Sequence, residues 1–196
     1  ITKDGIELNL GVNYVAHYIL TRCLLNCLQK AAKTHGDLSR VINLSSAVHW
    51  LADIKSLDSL HSSSWRSTDR ENDGGEYKRS KLFMLMLSRM LEREGHEGVI
   101  SYAVNPGAVC SDIWRNAQGK RRWLARHVFP RTFKTCEQGA LSILAACLKD
   151  TEILPPGSLV VDEKYSAHSP LADNPDLLHW LQTFSNNFTT TRDSGT

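Results

Sequence analysis

The chain has 196 residues, 41% of them hydrophobic, and a formal net charge of +2 at pH 7. That length and apolar content suffice for one domain with a sizeable core, and the near balance of charge, with no recognition module, argues against a nucleic-acid partner. The five cysteines, Cys23, Cys27, Cys110, Cys136 and Cys147, are an odd set without C-x-x-C, as expected of a reducing, intracellular compartment; the eight histidines show no metal spacing, so no metal is expected.

Taken in chain order, residues 4 to 33 carry apolar side chains at helical spacing (Leu8, Val12, Val15, Ile19, Leu20, Leu24, Leu28) and predict a long helix ended by Gly36. Ile6, Leu8, Val12 and Ile19 call for an apolar partner, as if the chain began inside a domain. In RVINLSSAVHW, Val41, Ile42 and Leu44 read as a short buried strand that stops at Ser45 and Ser46. Residues 47 to 76 lack periodicity and read as an extended excursion with one short helix around 53 to 60, Gly74 and Gly75 forming the entry to the next helix. That helix runs from Tyr77 to about Arg93, with Met84, Leu85, Leu87, Met90 and Leu91 as a core stripe. A second strand at 99 to 104 runs into Asn105, Pro106 and Gly107, which turn the chain at its carboxyl end. A mixed basic segment covers 110 to 134, a helix 137 to 148 and a last short strand 159 to 161; the polar stretch from Ser185 on reads as a frayed tail. This alternation predicts an α/β fold with a ligand crevice outside the carboxyl ends of parallel strands.

Tyr77 and Lys81, four residues apart in EYKRSK, share one helix face. A free tyrosine has a pKa near ~10, and a cation beside it favours the phenolate, so the pair has the makings of an acid/base unit. A solvated lysine is the commoner state of that residue type, and the chemical reading depends on Ser45, Ser46 and the Asn105–Gly107 turn converging on the pair.

The set NLGVNYVAHYILT, VINLSSAV, YKRSK and NPGAVCSDI, in this order, resembles the second half of the short-chain dehydrogenase/reductase superfamily, with its nearest likeness in the retinol dehydrogenase and WW-domain oxidoreductase group. The resemblance covers roughly residues 1 to 165. It implies a doubly wound Rossmann-like parallel sheet with flanking helices, residues 1 to 184 forming a partial NAD(P)-binding domain and 185 to 196 a polar tail. No Gly-rich phosphate turn is seen among the twelve glycines, which suggests that the amino-terminal βαβ portion is missing. By resemblance, Tyr77 is the general acid of carbonyl reduction, Lys81 lowers its pKa and holds the nicotinamide ribose, and Ser46 holds the substrate oxygen. Asn13 would hold a water leading from Lys81 to solvent, and Pro106, Gly107, Val109 and Ser111 would close over the nicotinamide, Ser111 standing where the family usually has threonine.

The resemblance implies NADP or NAD as cofactor and a lipophilic alcohol or carbonyl, such as a retinoid or steroid, as substrate. A homo-oligomer stays open. The alternative is a truncated, non-catalytic remnant whose uncovered sheet edge seeks a partner. Residues 114 to 134 interleave Arg115, Lys120, Arg121, Arg122, Arg126, Arg131 and Lys134 with Trp114, Trp123 and Phe129. This stretch reads either as a lid that touches an anionic membrane surface or as a solvated face with its aromatic residues packed inward.

Overall fold

The computed structural model describes residues 1–3, 5–54, 75–111, 123–124 and 127–190. Helix α1 (Leu8–Leu10) passes through a π-helical turn, Gly11–Val15, into α2 (Ala16–His35). A left-handed Gly36 closes α2 by donating its N–H to Ala32 O, and β1 (Ser39–Leu44) follows. A 3-10 helix, Ala47–Leu51, lies between β1 and α3 (Gly75–Glu94). Beyond it come β2 (Val99–Asn105), α4 (Phe129–Thr132), α5 (Cys136–Leu148), β3 (Leu159–Val161), β4 (Lys164–Ser166), a 3-10 turn at Pro170–Asp173 and α6 (Pro175–Thr190).

The four strands form one sheet in the order β1-β2-β3-β4. β1 and β3 flank β2 in parallel, with Ser39 opposite Val99 and Ala103 opposite Leu159, while β4 turns back antiparallel on β3. Every residue of β2 is buried, as a strand covered on both faces requires. Its Ala103 joins one core with α2, α3 and α6, and its Ile100, Tyr102 and Val104 join a second core with Ala145 and Ala146 of α5. The result is a three-layer α/β arrangement with β1 at one edge. The short helix expected at 53 to 60 falls almost wholly outside the described residues.

Two expectations change. Of the helical stripe read from Leu8, Val12, Val15, Ile19, Leu20, Leu24 and Leu28, Val15 is buried and Ile19 packs on the core, whereas Leu8, Val12, Leu20 and Leu24 point outward, 45–57% exposed. Leu10, Tyr14, Tyr18 and Leu25 enter the core beside Val15. A π turn adds a residue to the helical repeat, which rotates the face presented after it relative to an unbroken 3.6-residue helix. Tyrosine also ranks low on hydropathy scales, although its ring buries well when the hydroxyl finds a partner. Here Tyr14 Oη lies 2.6 Å from Ser185 Oγ and Tyr18 Oη donates to Asn186 Oδ1 at 2.7 Å. Those partners overturn the second expectation: the stretch from Ser185 is helical as far as Thr190, and Ser185 is fully buried.

On α2, Leu25→Ala is expected to cost about 2–5 kcal/mol and Leu20→Ala to stay within about 0.5 kcal/mol, read by chemical denaturation. Equal losses would contradict the orientation of this helix.

Candidate active site

The carboxyl ends of β1 and β2 carry candidate residues, and that of β1 is bonded to the first turns of α3. β1 delivers Ser45 and Ser46, and Ser45 Oγ donates to Lys81 O at 2.8 Å, pinning the strand end to the helix. Ser46 is extended (φ −163°, ψ 157°) and caps the 3-10 helix, its Oγ accepting from Val48 N at 3.4 Å. β2 delivers Asn105, whose Oδ1 accepts from Gly107 N at 3.0 Å across Pro106. Gly107 needs its freedom, because φ is +84° and a Cβ would press on Lys134 Nζ at 3.3 Å.

Lys81 Nζ donates to Leu44 O at 3.1 Å and lies 5.7 Å from the centre of the Tyr77 ring. Burial lowers the pKa of Lys81. Burial likewise raises that of Tyr77, and the Ser46 hydroxyl draws it back down. The lowering of Tyr77 expected from Lys81 therefore gives way here to a net rise with Ser46 as the opposing group, because removing the phenolate from water outweighs a neighbouring hydroxyl. Asn13 sits inside the π turn, where its Nδ2 donates to Ser80 Oγ at 3.1 Å, and Ser80 Oγ donates to Tyr77 O at 2.8 Å. Asn13 is thus tied to the Tyr77 turn through Ser80. One turn further along α2, His17 has a lowered pKa, from burial first and then from Lys81. Asn13, Ser46, Tyr77 and Lys81 come together from three segments of chain.

Val109 and Ser111 follow Gly107 on the same loop, and the chain around Lys134 holds that loop. Val109 bridges Lys134 in parallel, Lys134 N donates to Ala108 O and Cys110 N donates to Lys134 O, both at 2.9 Å. Lys134 Nζ reaches over the loop to Pro106 O at 3.4 Å and pairs with Asp162 at the end of β3. Gly139 makes room for Val109, whose Cγ2 lies 2.6 Å from where a Cβ would stand. Sequence reasoning placed Lys134 among the basic residues of 114 to 134 and missed this clasp; a lysine three residues before the 137 to 148 helix carries no local signal for it. Of that basic segment, residues 112–122 and 125–126, with Trp114, Arg115, Lys120, Arg121, Arg122 and Arg126, lie outside the described residues. Among those described, Trp123 stacks on His127 with ring centroids 5.3 Å apart.

No group of three His, Cys, Asp or Glu side chains among the described residues could hold a metal ion, and no described helix is long and apolar enough to cross a membrane. The donor set at the strand ends, a phenol, an ammonium and a hydroxyl beside a glycine turn, fits the nicotinamide end of a dinucleotide.

The chain is similar in sequence and in fold to several known proteins. The chain is 33% identical over 156 residues to human polyprenol dehydrogenase, covering 77% of this chain and 45% of that protein. It is 35% identical over 150 residues to mouse retinol dehydrogenase 12, covering 76% and 43% respectively. With human retinol dehydrogenase 12 it shares 33% identity over 174 residues, covering 88% and 51%. The chain thus spans about half the length of the curated relatives it matches. No family profile matches it. In fold it is similar to an uncharacterized protein from Mycobacterium paratuberculosis (TM-score 0.66, 23% identity, 97% of this chain and 61% of that one). It is also similar to the NADPH-bound carbonyl reductase from chicken fatty liver (TM-score 0.52, 22% identity, 86% and 61%). The chain resembles part of the short-chain dehydrogenase/reductase superfamily, and the relatives it matches are named retinol and polyprenol dehydrogenases.

Because Ser46 opposes the effect of burial on Tyr77, Ser46→Ala is expected to raise the Tyr77 pKa further, read from the 13Cζ resonance of labelled tyrosine during an alkaline titration. A fall would contradict the contact.

Proposed function

We propose that this chain carries the proton-transfer half of an NAD- or NADP-dependent oxidoreductase acting on a lipophilic alcohol or carbonyl of the retinoid, steroid or polyprenol kind. The observation that carries this reading is the meeting of Tyr77, Lys81 and Ser46 at the carboxyl end of β1, with Asn13 tied to the same helix turn through Ser80. The nicotinamide, when bound, supplies or takes the hydride. Tyr77 is the proton donor to the substrate oxygen in reduction and the acceptor in the reverse direction. Its raised pKa keeps the phenol protonated at neutral pH, as a donor requires, and the Ser46 hydroxyl beside it stabilises the oxygen on which negative charge develops. Lys81, anchored through one N–H to Leu44 O, has further donors to offer a ribose, and its lowered pKa makes it easier to deprotonate in a relay towards Asn13. Pro106, Gly107, Val109 and Ser111 form the wall against the nicotinamide, held in place by Lys134. The apolar Trp50 and Leu51, 50% and 64% exposed just after Ser46, suit a lipophilic substrate.

A second reading is favoured by the edge of the sheet. Among the described residues β1 pairs only with β2, and α2 and α5 keep Leu20, Leu24, Leu141, Leu144 and Leu148 exposed, a surface suited to binding a partner without catalysis.

In a form of the protein that turns over retinal with NADPH or NADH, Tyr77→Phe is expected to lower kcat by roughly 10²–10⁴-fold while the thermal midpoint stays close to that of the parent. Retained turnover would exclude Tyr77 as the proton donor. The 196-residue chain by itself is expected to show no heat of NADPH binding by calorimetry, and micromolar affinity would contradict that.

A further inference from the structure

Three residues past Ser46, a histidine is buried where the helical pattern of the sequence gives it no task. His49 is 1% exposed and has both ring nitrogens engaged. Its Nδ1 lies 2.6 Å from Ser46 O, and its Nε2 lies 3.3 Å from the backbone N of Ser169, itself buried ahead of the 3-10 turn Pro170–Asp173. A carbonyl can only accept and an amide N–H can only donate, so Nδ1 carries the proton and Nε2 is bare. A second proton on the ring would set two N–H groups against each other. Burial, and after it the nearby His168, push the His49 pKa down, against the pull of the Ser46 carbonyl. His168 in turn bonds Asp173 Oδ2 at 2.9 Å, and Asp173 pairs with Arg89 and Arg93 of α3, which fixes the segment that holds Nε2.

We propose that His49 is a positioning residue for Ser46, its neutral ring clamping the turn that carries the Ser46 hydroxyl to the backbone of Ser169, 120 residues away in sequence. The proposal gives the carboxyl-terminal segment a task in the site: it sets where the hydroxyl beside Tyr77 stands. It rests on the reading of Ser46 as the residue that meets the substrate oxygen, but its geometry is independent of turnover.

Two side chains separate the two contacts. An asparagine amide reaches the position of Nδ1 and can still donate to Ser46 O, whereas a glutamine oxygen reaches that of Nε2 and can still accept from Ser169 N. With 13Cζ-labelled tyrosine in the chain, His49→Asn, which keeps the Ser46 end of the clamp and loses the Ser169 end, is expected to move the Tyr77 titration upward. His49→Gln is expected to move it upward by about half a pKa unit or more, towards the value in Ser46→Ala. In Ser46→Ala, adding His49→Gln is expected to change nothing further, because the two act through one contact. No shift in either His49 variant, or a shift in only one of them, would overturn the proposal and leave His49 a packing residue. Independently of any variant, 15N shifts of the parent at neutral pH are expected to show His49 as the Nδ1–H tautomer; an Nε2–H or doubly protonated ring would overturn it as well. Since titration needs no turnover, an inactive parent with these shifts would sink the oxidoreductase reading and keep the clamp.

Discussion

The burial of α3 on every side is the constraint on which the rest of the molecule depends. Leu82, Phe83, Met84, Leu85, Met86 and Leu87 are consecutive, and each is 0–1% exposed. A surface helix shows an apolar stripe, whereas one that is apolar all round has to be enclosed. The sheet covers one side of α3, and α1 with its π turn, α6 and the two 3-10 segments cover the others. Each such side chain is worth about 1.5–3 kcal/mol on burial, so sliding or tilting the helix would be resisted at every turn. Tyr77 and Lys81 sit in the first two turns of this rigid element and inherit its position relative to the strand ends.

Polar ties complete the enclosure. Arg22 and Glu94 form a two-pronged ion pair at 2.5 Å, with Gln182 of α6 donating to the same carboxylate at 3.1 Å. Asn43, buried between layers, donates to Ser88 Oγ at 2.8 Å and Ser101 Oγ at 3.3 Å, joining β1, α3 and β2 where an unpaired amide would be costly. Through His49, which meets Ser169, and Lys134, which meets Pro106 and Asp162, segments remote in sequence reach the turns that follow β1 and β2, so the placement of those turns is a product of the whole packing arrangement.

The legible parts of the chain share a physical cause. β2 was readable because a strand covered on both faces is mostly apolar, and α3 because its Met and Leu stripe is core. Tyr77, Lys81, Ser46 and the Pro106–Gly107 turn were singled out as a set through the family resemblance, and the structure brings Tyr77, Lys81 and Ser46 together at the end of β1. The outward turn of Leu8, Val12, Leu20 and Leu24 was not readable, since periodicity reports which residues share a face and not which face the core will take. Nor was the helix through Ser185, whose polar side chains are buried only because the Tyr14 and Tyr18 hydroxyls of another helix meet them.

The amino-acid sequence by itself determined the order of the main helices and strands as far as β3 and the apolar character of α3, because each depends on local spacing or on residue identity. Only the tertiary structure decided which face of α2 is core, that Ser46 Oγ and Tyr77 come into contact, and that His49 joins Ser46 to Ser169 and Lys134 joins the Pro106–Cys110 loop to Asp162. Those outcomes depend on desolvation and on donor–acceptor contacts between residues far apart in the chain, quantities that no window of sequence contains.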